Sequence, residues 1–472
     1  MRDRLGGSLV VVGMVIGVGI CIAIFRPSYL GSPEYLQALI FLEIVFAALW
    51  NFRSHFLAIV IISFLLAGLQ IPDSGPWLAA RWFVLSVGAV AGFVAYMKAP
   101  EHRFSAFHLV ALFCVTSAMV SAMVSLYPTQ ALLKAASLLL LFLYGSSGVR
   151  LAALGQERRF ILSFMWGCEI LIYLSAIGYF LVGLHFFGNP NSLGAVAGVV
   201  LVPTMLWGVL TSADFIQRWR RTFALMLGLL LLLSSYARAG MVAAILACVL
   251  ICVTSRQYRM LIKGTAFVVL AAVFVAIAMP PQEAETSSVA SAFLYKGKRE
   301  EAFLGSRKSP WDQTVSVVQQ NPWFGTGYGT SATAFEPTPV NLQYRSPTAT
   351  TREHGNSYLE IVEWVGGVGV VPFYTLVILI LLNARRVLVR VRQTGSLYSP
   401  AVPLAAIMVA GLVHAAFEDW LFAVGYYLTV VFWALAFVLV DLVARPVAAV
   451  ADTNSFKTLR RLDPFGVVLP GQ

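Results

Sequence analysis

Charge is scarce in this chain. Only 12% of its 472 residues are Asp, Glu, Lys or Arg, against 59% hydrophobic. A soluble globular domain carries about a quarter charged residues, so a soluble fold is excluded. Cysteine is scarce as well. The five present, Cys21, Cys114, Cys168, Cys248 and Cys252, all fall inside apolar runs, which excludes a disulfide framework in the polar segments. Cys248 and Cys252 stand at i,i+4 with no His or carboxylate beside them, and read as helix-packing residues rather than metal ligands. No metal site and no cofactor is expected. Heptads, low-complexity tracts and a convincing internal repeat are missing too.

What is abundant is hydrocarbon. Spanning a bilayer takes about 20 apolar residues, and fourteen runs approach that length: 8–25, 36–50, 55–71, 82–97, 106–126, 130–148, 160–183, 191–211, 222–236, 239–254, 261–279, 358–383, 403–418 and 421–443. The second and ninth are short. The expected fold is an all-α polytopic membrane protein with about 12–14 transmembrane helices and one long extracytoplasmic loop. The first run ends in Arg26-Pro27-Ser28 without a small-x-small site, so it is expected to remain as a helix rather than be cleaved as a signal.

Basic residues set the expected orientation. Alternating the loops puts Arg53, Lys98/Arg103, Arg150/Arg158/Arg159, Arg218/Arg220/Arg221, Arg256/Arg259/Lys263, Arg385/Arg386/Arg390/Arg392 and Arg445/Lys457/Arg460/Arg461 on one side. With Arg2 and Arg4 these are 22 of the 33 basic residues. That side is the expected cytoplasm, with both termini in it. The net charge of +11 is then a topology signal, and nucleic-acid binding is not expected. The organisation divides into N-terminal spans (1–279), an extracytoplasmic loop (280–357), C-terminal spans (358–444) and a cytoplasmic tail (445–472).

The loop carries the informative polar residues. Pro310–Gln320 has apolar Trp311, Val315 and Val318 among polar neighbours, which suits an amphipathic helix on the membrane surface. Asn321–Gly329 is rich in Gly, Pro and aromatics and must turn tightly, and Thr333–Thr351 reads as an irregular lid. His354 stands just ahead of a helix start. It is a candidate general base, since imidazole titrates near neutrality; a structural histidine is the plainer alternative. Arg238 places a cation between two apolar segments, where it either snorkels to headgroups or clamps phosphate oxygens. Arg299, Arg307, Arg345 and Arg352 add cations that topology does not require, and so point to an anionic ligand. Asn189, in Gly188-Asn189-Pro190-Asn191-Ser192-Leu193-Gly194, is a helix cap or part of an anion site at the helix start. Glu43 and Glu169 lie within apolar runs, where carboxylates can serve proton coupling. His414 and Glu418, at i,i+4, are expected to form a structural ion pair.

Three of these patterns resemble, in order, those of the O-antigen ligase/polymerase superfamily of bacterial envelope glycosyltransferases. They are the Gly188–Gly194 turn, the Ser-x-x-Arg turn ending at Arg238, and the block from Arg307 and Trp311 through Asn321-Pro322-Trp323-Phe324-Gly325-Thr326-Gly327 to His354-x-Asn356-Ser357-Tyr358-Leu359 and Glu363-Trp364-Val365-Gly366-Gly367-Val368-Gly369. One departure stands out: Gly355 separates His354 from Asn356, where the family commonly has Asn directly after His. The resemblance covers roughly residues 130–385. It implies a GT-C-like membrane enzyme of the bacterial inner membrane. Such an enzyme moves a glycan from undecaprenyl diphosphate to a saccharide hydroxyl at the outer face, without metal. His354 would be the base, Arg238 and Arg307 would bind diphosphate, and Arg299, Arg345, Arg352 and Asn189 would be further contacts. The implied partners are the lipid-linked donor, the saccharide acceptor and membrane lipids, with a chain-length regulator and a flippase as partner candidates. Polymerase, ligase onto lipid A-core, and a flippase or other transporter remain open at this point.

Overall fold

The computed structural model describes residues 56–68, 75–97, 104–183, 186–187, 189–278, 305–331, 353–395 and 397–444. Among them there are helices and turns but no strand. In chain order the helices are α1 (Phe56–Gly68), α2 (Gly75–Met97), α3 (Ala106–Met123), α4 (Pro128–Ala153), α5 (Glu157–Val182), α6 (Pro190–Leu210), α7 (Phe215–Ser234), α8 (Arg238–Thr254), α9 (Tyr258–Ala278), α10 (Gly305–Gln320), α11 (Ser357–Thr394), α12 (Ala401–His414) and α13 (Tyr427–Ala444). The segment Ala80–Met97 of α2, together with α3, α4, α5, α6 and α11, is long and apolar enough to cross a membrane; α1, α8, α12 and α13 are shorter apolar helices. The protein is an all-α polytopic membrane protein. The first two apolar runs, Glu43, and the loop arginines Arg299, Arg345 and Arg352 lie outside the described residues.

A helix apolar all round belongs in the middle of a bundle. α6 is such a helix, as are α12 and α13 with almost every side chain buried. Close approach to α6 is achieved with glycine. A Cβ on Gly198 would strike the Gly240 backbone of α8, and one on Gly194 would strike Ala237 and lie 2.6 Å from Ser235 Oγ. Small residues let transmembrane helices approach this closely. Within α6, Pro203 cannot donate a hydrogen bond and its ring crowds the carbonyl of Val199. The helix accommodates this by widening to a π turn over Ala197–Leu201.

The bundle has two chemically different ends. At one, the Phe187 ring meets Tyr427 at 5.7 Å, Arg81 Nη1 donates to Gly425 O at 2.9 Å, and Ser357 Oγ donates to Glu418 O at 2.7 Å. Residues 305–331 and 353–356 and the loop 415–426 collect here. The other end joins α6 to the residues after α11, through Trp207 Nε1 donating to Leu397 O at 3.0 Å. It also joins α11 to α13, through Arg390 Nη2 donating to Val443 O at 3.3 Å. Its loops and helix ends hold Arg158, Arg159, Arg218, Arg256, Arg259 and Arg385.

Several expected boundaries need correction. The run 403–418 is helical only to His414, and 415–426 is a chain of turns. His414 and Glu418 therefore do not share a helix face. His414 Nδ1 instead accepts from Trp420 Nε1 at 2.8 Å, while Glu418 pairs with Arg307. The run 358–383 continues to Thr394, so Arg385 to Arg392 sit on helix rather than in a loop. The amphipathic helix starts at Gly305 and buries Thr314 and Val317, with Trp311 and Val318 half-buried, whereas Val315 is 44% exposed. It packs on α11. Glu169 is held by Arg220 Nε at 2.7 Å and by the Tyr173 hydroxyl at 3.1 Å, which accounts for its burial as a structural pair.

Candidate active site

The site grows out of a break in α11. At Gly366 the backbone takes φ +70°, ψ −179°, a conformation almost confined to glycine, and the helical ladder stops there. The chain Pro322–Gly327 fills the gap. Thr326 N donates to Glu363 O at 2.9 Å and Gly327 N to Trp364 O at 3.1 Å, while Pro322 O accepts from Gly367 N at 2.7 Å and Trp323 O from Val368 N at 3.3 Å. Every one of these groups would be orphaned by a bare break, and each is satisfied by the glycine-rich segment. Ser121 Oγ of α3 donates to the Trp364 carbonyl as well, at 2.5 Å. Tyr328 is buried just beyond, with its hydroxyl donating to Phe422 O at 2.8 Å. Desolvation pushes its phenol well above the ordinary value and keeps it a donor. The Asn321–Gly329 motif thus clamps a half-helix, Ser357–Val365, at the mouth of the bundle.

That half-helix is capped by Asn356, whose side chain accepts from Tyr358 N at 2.9 Å and Leu359 N at 3.2 Å. One residue earlier, Gly355 has φ +62°, and a Cβ there would lie 2.8 Å from Arg307 Nη1. Only glycine combines that turn with that contact, which explains its insertion between His354 and Asn356. Trp311 Nε1 donates to Gly355 O at 3.2 Å. Ser357 gathers the facing loop: its hydroxyl donates to Glu418 O and accepts from Trp420 N and Leu421 N, both at 3.0 Å.

His354 is therefore fixed on all sides, and its ring is fully buried. Its backbone N donates to Asp419 Oδ2 at 2.8 Å. Nε2 lies 3.1 Å from Glu363 Oε1 and 3.4 Å from Ser331 Oγ. Nδ1 faces Glu360 Oε1 at 3.7 Å and Asp419 Oδ2 at 3.9 Å. The Trp364 ring stands edge-on to the imidazole at 6.0 Å between centroids. Three buried polar atoms here, His354 Nδ1, Glu360 Oε2 and Trp364 Nε1, have no hydrogen-bond partner among the described residues. An unpaired buried polar group costs about 1–3 kcal/mol, so a cluster of three marks a place built for something else to bind. Lys134 of α4 reaches in from the side. Its Nζ donates to Gly329 O at 2.5 Å, and its charge acts on Glu360.

The predicted site residues divide accordingly. His354 and Arg307 come together, but Arg307 is already engaged. Its Nη1 pairs with Glu353 at 2.7 Å and its Nη2 with Glu418. Arg238 begins α8, half-buried, two residues after Tyr236, which has φ +50°. Asn189 caps α6, its side chain accepting from Asn191 N at 2.9 Å. The Gly194 contact with Ser235 and Ala237 brings these two turns to the same end of the bundle as His354. Sequence reasoning missed Lys134, Ser331, Asp419, Glu360 and Glu363 as site residues. The last two carried a signal: two carboxylates three residues apart, on one helix face, inside an apolar run. The donor atoms of His354, Glu360 and Asp419 lie within 4.8 Å of one another and could hold a divalent cation. They would have to close from the present 3.7 and 3.9 Å to about 3.4 Å, the donor spacing that tetrahedral metal–ligand bonds of about 2.1 Å impose. The same three groups are also hydrogen-bond acceptors of the kind that the O–H groups of a saccharide need.

Residues 223–374 match the family model for O-Antigen ligase, a stretch that runs from α7 past the break in α11 and contains Arg238, Arg307, His354, Glu360 and Glu363. The match spans 152 of the 472 residues and supports membership of the O-antigen ligase/polymerase superfamily. No curated protein matches the chain. The match supports, in general terms, a ligase- or polymerase-type function on a lipid-linked glycan and its acceptor.

Proposed function

We propose that the protein transfers a glycan from undecaprenyl diphosphate to a saccharide hydroxyl at the outer face of the bacterial inner membrane, without a metal, with His354 as general base. The observation that carries this is the His354 imidazole, held rigidly by Glu363 with Nδ1 unpartnered, inside the segment that matches the family. A sugar hydroxyl is a poor nucleophile until a base takes its proton, and a positioned imidazole supplies about 10²–10⁴-fold. The hydroxyl oxygen attacks the anomeric carbon, the bond to the diphosphate oxygen breaks, and the lipid diphosphate leaves with the electron pair. Direct displacement inverts the anomeric centre.

The leaving diphosphate gathers charge, which a fixed guanidinium can balance. Arg238 is assigned that role, with Arg299, Arg345 and Arg352 as further cationic contacts. Arg307 could join them only by exchanging a carboxylate, so in the arrangement seen it braces Glu353 and Glu418 around His354. The distribution of basic residues supports the outer-face assignment, because the arginine-rich end faces away from the site. The His354 ring presents no surface to solvent, so the acceptor must displace side chains covering it. Between polymerase and ligase onto lipid A-core, extension of a lipid-linked repeat is the reading adopted. Chain-length regulators and flippases are its proposed partners.

The test is a deletion strain complemented with wild type, His354→Ala or Arg238→Ala. Both variants are expected to lose surface polymer while single lipid-linked repeats still reach the outer leaflet. Normal polymer from His354→Ala overturns the assignment of the base. Repeats trapped on the inner leaflet would mark a transporter instead. Long polymer left on the carrier would mark a ligase. A chelator added to the purified enzyme should leave the rate unchanged; loss of rate that added divalent cation restores would make His354, Glu360 and Asp419 a cation site.

A further inference from the structure

Glu363 lies nine residues beyond His354 and is fully buried, yet its carboxylate ends 3.1 Å from Nε2 of that ring. A carboxylate in its ionised form can only accept a hydrogen bond, and against that form Nε2 carries the proton. A neutral imidazole then has its lone pair on Nδ1, the nitrogen with no partner among the described residues. Nδ1 looks toward Glu360 and Asp419, on the side opposite Glu363, and Glu360 Oε2 is unpartnered there too. The position of Glu363 is not an accident of an ordinary helix. Its carbonyl and that of Trp364 are tied to Thr326 and Gly327 across the break at Gly366, and Trp364 is tied again to Ser121. The glycine-rich segment thereby locks the half-helix that aims the carboxylate.

We propose that Glu363 is a positioning residue that holds His354 as the Nε2–H tautomer, so that the acceptor hydroxyl is deprotonated at Nδ1, between Glu360 and Asp419. This deepens the reading of His354 as base and rests on it. The hydroxyl proton passes to Nδ1 as its oxygen bonds the anomeric carbon, and the carbon–oxygen bond to the diphosphate breaks. The resulting imidazolium is stabilised by the Glu363 carboxylate on its far side and gives its proton to solvent after the product leaves. Glu360 and Asp419 offer acceptors for neighbouring hydroxyls of the same sugar, so the ligand that this cluster suits is a polyhydroxylated acceptor rather than the anionic donor head.

The test uses the full-length protein in nanodiscs, labelled with ¹⁵N-histidine, with His354 assigned by its loss in His354→Ala. Wild type should show a protonated Nε2 and an unprotonated Nδ1. Glu363→Gln can turn its amide to donate to Nε2, which inverts the tautomer and removes the charge. The expected result is a kcat lower by about 100-fold or more, with the acceptor KM within about threefold, because comparable carboxylate–imidazole pairs lose rate through the wrong tautomer. Glu363→Asp, which retains the charge, should recover part of kcat. A wild-type ring protonated at Nδ1 overturns the proposal whether or not any variant folds. Unchanged kcat in Glu363→Gln overturns it as well, while a dead His354→Ala would leave the base assignment standing. If His354→Ala itself transfers glycan normally, the reading of the function falls and this inference with it.

Discussion

Two histidines are buried at opposite ends of the bundle, each among charged partners and aromatic rings. His108, in the first turn of α3, is bonded at both nitrogens: Nδ1 to Ser105 Oγ at 2.9 Å and Nε2 to Arg150 Nη1 at 2.7 Å. Arg150 in turn forks onto Asp441 of α13, donates to Ser146 O at 3.1 Å, and lies 4.6 Å from the Tyr96 ring centre. The Arg150 and His108 side chains leave no orphaned atom, and helices α2, α3, α4 and α13 are tied together. His354 has carboxylates where His108 has a guanidinium, and among the described residues it keeps an unpartnered nitrogen beside an unpartnered Glu360 oxygen. Similar residue types build a closed network in one place and an open one in the other. A closed network specifies structure; an open one stores unsatisfied bonding capacity that a ligand can use.

Substituting the two clusters should separate those roles. His354→Ala is expected to lower transfer by at least about 10²-fold, assayed with purified protein, lipid-linked donor and acceptor. Arg150→Ala should do the opposite, leaving activity per folded molecule intact. Removing one partner of a buried ion pair costs about 3–5 kcal/mol, which would appear as a lower melting temperature and poorer folded yield in detergent. If Arg150→Ala abolished turnover in molecules that remain folded, the contrast between the clusters would be lost.

Much of this molecule could be read from its residues. Apolar runs revealed which segments are helical, because bilayer thickness sets their length. They did not give helix ends, because hydropathy cannot tell helix from buried turn. Residues 415–426 are as apolar as a span, yet they form turns whose polar groups bond Ser357. His354 was legible because it stood out against a polar loop. Glu363 was not, since its meaning depends on the break at Gly366 and on Pro322–Gly327 lying in it. Asn356 as a cap followed local rules, and Asp419 could be read only as a carboxylate at the outer end of an apolar run, since it meets His354 from 65 positions away.

The break itself offers an intermediate test. At φ +70°, ψ −179° any residue but glycine costs about 1–3 kcal/mol, and a Cβ on Gly366 would also run into the Trp323 carbonyl. Gly366→Ala should therefore expel Pro322–Gly327 from the gap without unfolding the closed cluster. Hydrogen exchange would show it: the Thr326 and Gly327 amides should lose protection while those of α3 and α4 around His108 keep theirs. Equal loss at both ends would mean that the two clusters are not independent.

The smallest effect belongs to Asn189. Its side-chain oxygen is spent on Asn191 N, which is what a cap does, and replacing a cap by Ala costs about 1 kcal/mol. The informative variant is Asn189→Asp. Aspartate caps as well as asparagine and favours the positive helix end, so stability should be kept or slightly raised. A diphosphate resting on the same turn would be repelled by the new charge. We expect the donor KM of Asn189→Asp to stay within about twofold, since the turn is already satisfied by its own residues, whereas Arg238→Ala should weaken donor use by about tenfold or more, the loss of a charge-assisted contact worth about 1.5–3 kcal/mol. A tenfold rise in donor KM for Asn189→Asp would instead extend the diphosphate site from α8 to the start of α6, where Gly194 already brings the two turns into contact.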